Sequence, residues 1–205
     1  MKVYGHPMST CTRKVLTTLA EKGHEAEFVM VDIMKGEQKL PAALARQPFG
    51  VVPAIDDDGF VLYESRAIIR YLDEKLSGPK LSPPEAKERA LMEQWISVEA
   101  SYMSPKAMVI VMNNMFGPMM GKTPDTDAVA KATESLSQTL DITDKALAHQ
   151  DFLGGKAFSL ADIDWMPYVQ YLFGAKAGNL ITDRTHLGAW WQRVSTRPSW
   201  VKVSA

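Results

Sequence analysis

The stretch "HPMSTCTRKVL", residues 6 to 16, sets four side chains that could carry thiol chemistry in a row: Ser9, Thr10, Cys11 and Thr12. They follow a short apolar run, "KVY", and open a segment with helical periodicity. A hydroxyl there is a natural helix cap, because its oxygen accepts one of the backbone N–H groups that a helix start leaves unpaired. A thiol in a first helical turn is a candidate thiolate, since the positive end of the helix favours the anion. A lone cysteine is just as often a small apolar filler.

Composition limits what these groups can serve. The chain has 205 residues, 46% of them hydrophobic and 23% charged, which is ordinary for a globular protein. The formal charge is −1, with ten Lys/Arg against eleven Asp/Glu in residues 1–76 and 13 against 13 in the remainder, so a nucleic-acid binder working by phosphate neutralisation is excluded. Cys11, the one cysteine, has no internal disulfide partner and cannot form a two-cysteine zinc or redox motif. The four histidines show no metal-ligand spacing, so no metal is expected. Neither an apolar leader nor a run of about 18 apolar residues is found, and a cytoplasmic protein without a membrane segment is expected.

The elements that must position these side chains change character along the chain. "KVYG" and "AEFVMVD" read as strands flanking a helix in "TRKVLTTLAEKG", with Val15, Leu16, Leu19 and Ala20 on one face and Gly23 at its end. "VVPAIDDDGFVLYES" reads as a hairpin about "DDDG". Ser65 is then expected to cap a helix with Ile68, Ile69, Leu72 and Leu76 at helical spacing. Residues 77–84, "SGPKLSPP", read as a linker, and every periodic segment beyond them is helical. The expected architecture is α/β plus all-α: a βαβ-ββα domain over 1–76, a linker over 77–84 and a helical domain over 85–205.

This pattern, with "QPFGVVPAIDDDGFVLYESRAIIRYL" (47–72) as its most specific part, resembles the glutathione transferases, whose first domain is thioredoxin-like. "YGHPMSTCTRKVL" and "GEQK" resemble the phi-type, serine-dependent class. In the helical half the likeness rests on "WISVEA", "FLGGKAFSLADI" and "WWQRVSTRPSW".

The resemblance implies transfer of the glutathione thiolate to hydrophobic electrophiles, with glutathione as co-substrate and detoxification as the context. A free thiol has a pKa near ~8.5, so such a site must stabilise the anion. Ser9 matches the family's serine, which donates a hydrogen bond to sulfur; capping explains the same residue without catalysis. Glutathione would be held by Gln38, Lys39, Val52, cis-Pro53, Glu64 and Ser65. The usual His and Gln of the family are replaced by Gln38 and Val51, implying weaker or altered binding. Met8, Thr10, Met112 and Phe116 would line the hydrophobic pocket, in a region, 103–120, that holds six of the twelve methionines. Methionines at helical spacing equally suit a core. Asp162 and Ser159 have capping-box spacing and look structural. The family also implies a homodimer with Phe49 at its interface. Two other readings remain open: a glutathione-dependent thiol oxidoreductase using Cys11, and a non-catalytic transferase-like binding protein.

Overall fold

The computed structural model of the chain describes residues 1–205. Strand β1 (Lys2–Gly5) leads into helix α1 (Thr10–Glu21), and β2 (Glu27–Met30) runs parallel to β1. Strands β3 (Ala54–Asp57) and β4 (Phe60–Tyr63) form a hairpin, with β3 antiparallel to β1, so the mixed sheet has the order β2-β1-β3-β4. The hairpin turn is Asp58-Gly59, with φ of 54° and 94°, the pair of positive values that a two-residue turn needs. The strand expected from Val51 begins only at Ala54. Pro53 has no N–H to give the ladder, and the Val52–Pro53 peptide is cis.

Helix α3 (Ser65–Lys75) follows β4 directly. Its N-cap is Glu64, not Ser65; Ser65 is the first helical residue and is buried. Val3, Val15, Ile55, Ile68, Ile69 and Leu72 are fully buried and form the core of this sheet-and-helix layer. On α1 the buried apolar stripe is Val15 and Leu19, while Leu16 and Ala20 are half-buried. Between β2 and β3 lie a 3₁₀ turn (Glu37–Lys39) and a one-turn helix, α2 (Pro41–Leu44). Both are too short for periodicity to announce them.

Helix α4 (Ala86–Val98), α5 (Ser104–Val111) and α6 (Gly117–Met119) make one nearly continuous helical run, interrupted by wider π turns at Glu99–Met103 and Met112–Phe116. A proline, Pro105 or Pro118, stands two residues beyond each π turn. Proline cannot donate to the preceding turn and its ring crowds the carbonyl there, so the helix widens ahead of it. Helix α7 (Thr126–Leu147) is capped by Asp125, whose carboxylate accepts the Ala128 N–H at 2.9 Å. Helix α8 (Leu160–Gly174) is buried on all sides from Leu160 to Val169, the mark of a central helix. Its capping box pairs Ser159 with Asp162. Helices α9 (Asn179–Thr182), α10 (Thr185–Ser195) and α11 (Pro198–Ser204) complete the chain.

The chain divides into two compact units, Met1–Ser82 with Arg197–Ala205, and Pro83–Thr196. This corrects two sequence-based boundaries. The segment 77–82 is fastened to the first unit: Leu81 is buried and its N–H donates to the Asp73 carboxylate at 2.9 Å. Residues 197–205 leave the helical unit because Arg197, Ser199 and buried Trp200 dock α11 along α1.

Candidate active site

Sheet register gathers the candidate residues of the first unit. Gly5 pairs with Met30, Tyr4 with Ala54, and Ala54 with Tyr63. The ends of β1, β2 and β4 and the start of β3 therefore lie together at one end of the sheet. From that end depart the loop to Ser9, the segment to Gln38 and Lys39, the Val52–Pro53 peptide, and Glu64–Ser65.

The loop before α1 is held by backbone hydrogen bonds. Ser9 N–H donates to the His6 carbonyl at 2.9 Å, and Met8 N–H donates to the His6 Nδ1 at 3.2 Å. The His6 N–H donates to the Thr12 hydroxyl at 3.3 Å, and the Arg13 Nε donates to the Pro7 carbonyl at 2.8 Å. Gly5 lets this loop close: a Cβ there would stand 2.5 Å from the Thr12 methyl. His6, Thr12 and Arg13 are all buried, and they are the positioning residues that sequence reading missed. Their pairing spans six positions, a distance that neither strand nor helix periodicity reports.

Ser9 is the N-cap of α1, with φ −78° and ψ 124°. Its Oγ accepts the Thr12 N–H at 3.2 Å, which uses a lone pair and leaves the hydroxyl proton available. Cys11 is half-buried two residues further on, with the Thr10 hydroxyl 4.0 Å from its sulfur. Met8 is exposed, and Thr10 is half-buried.

Lys39 Nζ donates to the Phe49 carbonyl at 3.1 Å. Gly50 is required beneath it, because a Cβ there would stand 2.7 Å from Lys39 Nζ, and its φ is 63°. Gln38 Nε2 reaches the Ile33 carbonyl at 3.5 Å, while its Oε1 is buried without a donor. Val51 is 49% exposed. Val52 precedes the ladder, which starts at Ala54, so its backbone groups are outside the sheet pairing. Glu64 has φ 71° and ψ 108°, a strained setting for a residue with a Cβ, and its side chain is exposed. Phe49 is 68% exposed and meets the Tyr63 ring edge-on at 6.1 Å.

In the second unit, Met112 and Phe116 bracket the second π turn; Met112 is exposed and Phe116 meets Tyr171 edge-on at 5.2 Å. Met103 is fully buried and belongs to the core. Asp162 is fully buried and accepts from Ser159 N–H, Leu153 N–H and Trp190 Nε1 at 2.9, 2.9 and 2.7 Å. Burial pushes its carboxyl above the ordinary value against those hydrogen bonds.

Family models give the assignment. Residues 1–74 match the glutathione S-transferase N-terminal domain, and residues 101–198 match the C-terminal domain. The chain belongs to the glutathione S-transferase family. Glutathione S-transferase F10 of Arabidopsis thaliana is 40% identical over 203 residues, covering 97% of this chain and 94% of the relative. The crystal structure of glutathione transferase F7 from Populus trichocarpa superposes with a TM-score of 0.95 at 40% identity, covering 99% of this chain and 97% of that one. Maize glutathione S-transferase I, solved in complex with an atrazine glutathione conjugate, matches with a TM-score of 0.92 at 33% identity, covering 99% and 95%. The likeness to F-type, phi-class members thus runs through both units, and the thioredoxin-like sheet followed by a helical unit is the family's fold.

Proposed function

We propose that the chain conjugates glutathione to hydrophobic electrophiles, with Ser9 as the donor that stabilises the sulfur anion. The thiol proton leaves to solvent, sulfur bonds to the electrophilic carbon, and the leaving group departs with the bonding pair. The observation that carries this reading is the Ser9 hydroxyl, which accepts from Thr12 at 3.2 Å and keeps its own proton to give. The start of α1 adds its positive partial charge at the same place.

The residues leaving the same end of the sheet suit the tripeptide. Lys39 offers a cation for a carboxylate, Glu64 an acceptor for an ammonium, and the Val52 backbone a strand-like partner for the cysteinyl part. The buried Gln38 Oε1, without a donor, suits an arriving ligand N–H. Ser65, at the first turn of α3, is the candidate partner for the other carboxylate. Met8 and Thr10 in the first unit, and Met112 and Phe116 in the second, are the candidates for contact with the electrophile. The domain roles follow: glutathione on the first unit, apolar selectivity from the second. The maize relative solved in complex with an atrazine glutathione conjugate supports hydrophobic electrophiles as the substrate class, and hence a role in clearing them. A cytoplasmic homodimer is our reading too, supported by the lone cysteine and by the exposed Phe49 ring.

The test is conjugation of glutathione to an aryl halide by wild type, Ser9→Ala and Cys11→Ala. A loss of about 10²-fold or more in Ser9→Ala alone is expected, the scale of removing one transition-state donor. A loss confined to Cys11→Ala, together with disulfide or dehydroascorbate reduction, assigns the chain to thiol oxidoreduction instead. Absence of glutathione binding by calorimetry makes it a binding protein of another kind.

A further inference from the structure

The turn that carries Gln38 and Lys39 is fixed at both ends. Glu37 Oε2 accepts the Asp32 N–H at 2.7 Å, and the Lys39 N–H donates to the Gly36 carbonyl at 2.9 Å. From this turn the two side chains converge on the segment ahead of β3. Lys39 Nζ reaches the Phe49 carbonyl, while Gln38 joins Val51 and Val52 in the wall of a cavity of about 10 Å³, room for one water-sized group.

The polar groups around this cavity leave one acceptor over. Gln47 Oε1 is taken by the Phe49 N–H at 2.9 Å, and the Arg46 guanidinium lies 4.0 Å from the centre of the Tyr4 ring. Neither residue donates to Gln38 Oε1, which is buried with no partner. Gln38 Nε2 faces the Ile33 carbonyl at 3.5 Å, and turning the side-chain amide over would set two oxygens against each other. Oε1 is therefore the atom that Gln38 holds for an incoming donor.

A ligand group lying between Lys39 and Gln38 meets a donor on one side and an acceptor on the other. A carboxylate satisfies Lys39, but its second oxygen has only lone pairs to set against Gln38 Oε1. A carboxamide satisfies both, its oxygen toward Lys39 Nζ and an N–H toward Gln38 Oε1. Exposure decides between the two. Lys39 is exposed, so water screens its pull on an anion, whereas Gln38 Oε1 is buried and bears the full cost of an unmade hydrogen bond.

With Lys39 and Val52 taken as contacts of the tripeptide, on which this rests, we propose that the site selects glutathione whose glycine carboxyl is carried as an amide. The co-substrate class is γ-glutamyl-cysteinyl-glycinamide and its N-substituted relatives. The thiol end is unchanged, so Ser9 serves both forms in the same way.

Calorimetric titration of the full chain with S-methylglutathione and with its glycinamide counterpart reads this choice apart from the thiol. Conjugation to an aryl halide with glutathione and with glutathione amide reads it in turnover. The amide form is expected to bind about threefold tighter or more, with kcat/KM higher by the same factor, the scale of one hydrogen bond gained against a screened ion pair lost. Gln38→Leu is expected to bring that ratio to one or below, and Gln38→Glu, which keeps an acceptor, to retain it. Equal or weaker binding of the amide by wild type, or a Gln38→Leu ratio matching that of wild type, overturns the selection while conjugation stands. Binding of neither form overturns the conjugation reading with it.

Discussion

Thr12 donates its backbone N–H to the Ser9 hydroxyl at 3.2 Å, so one oxygen caps α1 while its proton remains free for another acceptor. The two duties can be separated by substitution. Aspartate caps as well as serine does but has no proton to give and would repel a thiolate. Ser9→Asp should therefore keep the wild-type melting temperature within a few degrees while losing at least 10²-fold in kcat/KM. Ser9→Ala should lose the same activity and also about 1 kcal/mol of stability. If Ser9→Asp retains activity, Ser9 is a cap only.

Glu64 is held at φ 71° by its place between β4 and α3, a conformation costing about 1–3 kcal/mol for a residue with a Cβ. Glycine adopts it without that cost. Glu64→Gly should raise stability to urea by up to about 1 kcal/mol while, on the proposed role of its carboxylate as acceptor for the glutamyl ammonium, raising the KM for glutathione at least tenfold. A variant that is more stable with unchanged KM removes Glu64 from the binding set.

These residues show what the sequence could and could not disclose. The strands, the Asp58–Gly59 hairpin and the long helices were legible, because alternation, a turn pair and apolar spacing are local signals. Ser9 and Glu64–Ser65 were legible as candidates because each stands in a short contiguous stretch. The positioning roles of His6, Thr12 and Arg13 were not, since their work is to hold backbone atoms across a loop. The cap of α3 falls on Glu64 and not on Ser65, a difference the sequence does not show because a strained Glu64 leaves no compositional trace. The return of residues 197–205 to the first unit depends on Arg197 meeting Glu21, 176 positions apart, which no pattern along the chain reports.

Lys22 and Asp73 form a fully buried ion pair at 3.1 Å, and Lys22 Nζ also donates to the Asp73 and Pro79 carbonyls at 3.0 and 2.9 Å. It joins the end of α1, the end of α3 and the segment that follows. Removing one partner strands a buried charge, so Lys22→Met should cost about 3–5 kcal/mol in chemical denaturation. Asp73→Asn keeps an acceptor for the Leu81 N–H without the charge. The double variant Lys22→Met/Asp73→Asn should consequently be more stable than Lys22→Met alone; equal stability of the two would show that the charge is not what matters.

The last relationship carries a pH dependence. Burial pushes the Glu21 carboxyl up, but the Arg197 guanidinium at 2.7 Å through both Nε and Nη2, with the Ser199 hydroxyl, holds it below the ordinary value of 4.5. A carboxyl lowered by folding stabilises the fold above its unfolded value, and that contribution is lost as pH falls through the folded one. Arg197→Met removes it and leaves a mostly buried carboxylate without its cation. Melting temperature measured from pH 7 to pH 3 should therefore show the largest gap between wild type and Arg197→Met at pH 7, with the gap closing as pH falls toward the lowered folded value of Glu21. Trp200, buried on α11, should report the same loss by fluorescence as that helix leaves α1. A gap that stays constant across this range would mean that Arg197 acts through packing of its stem and not through the Glu21 charge.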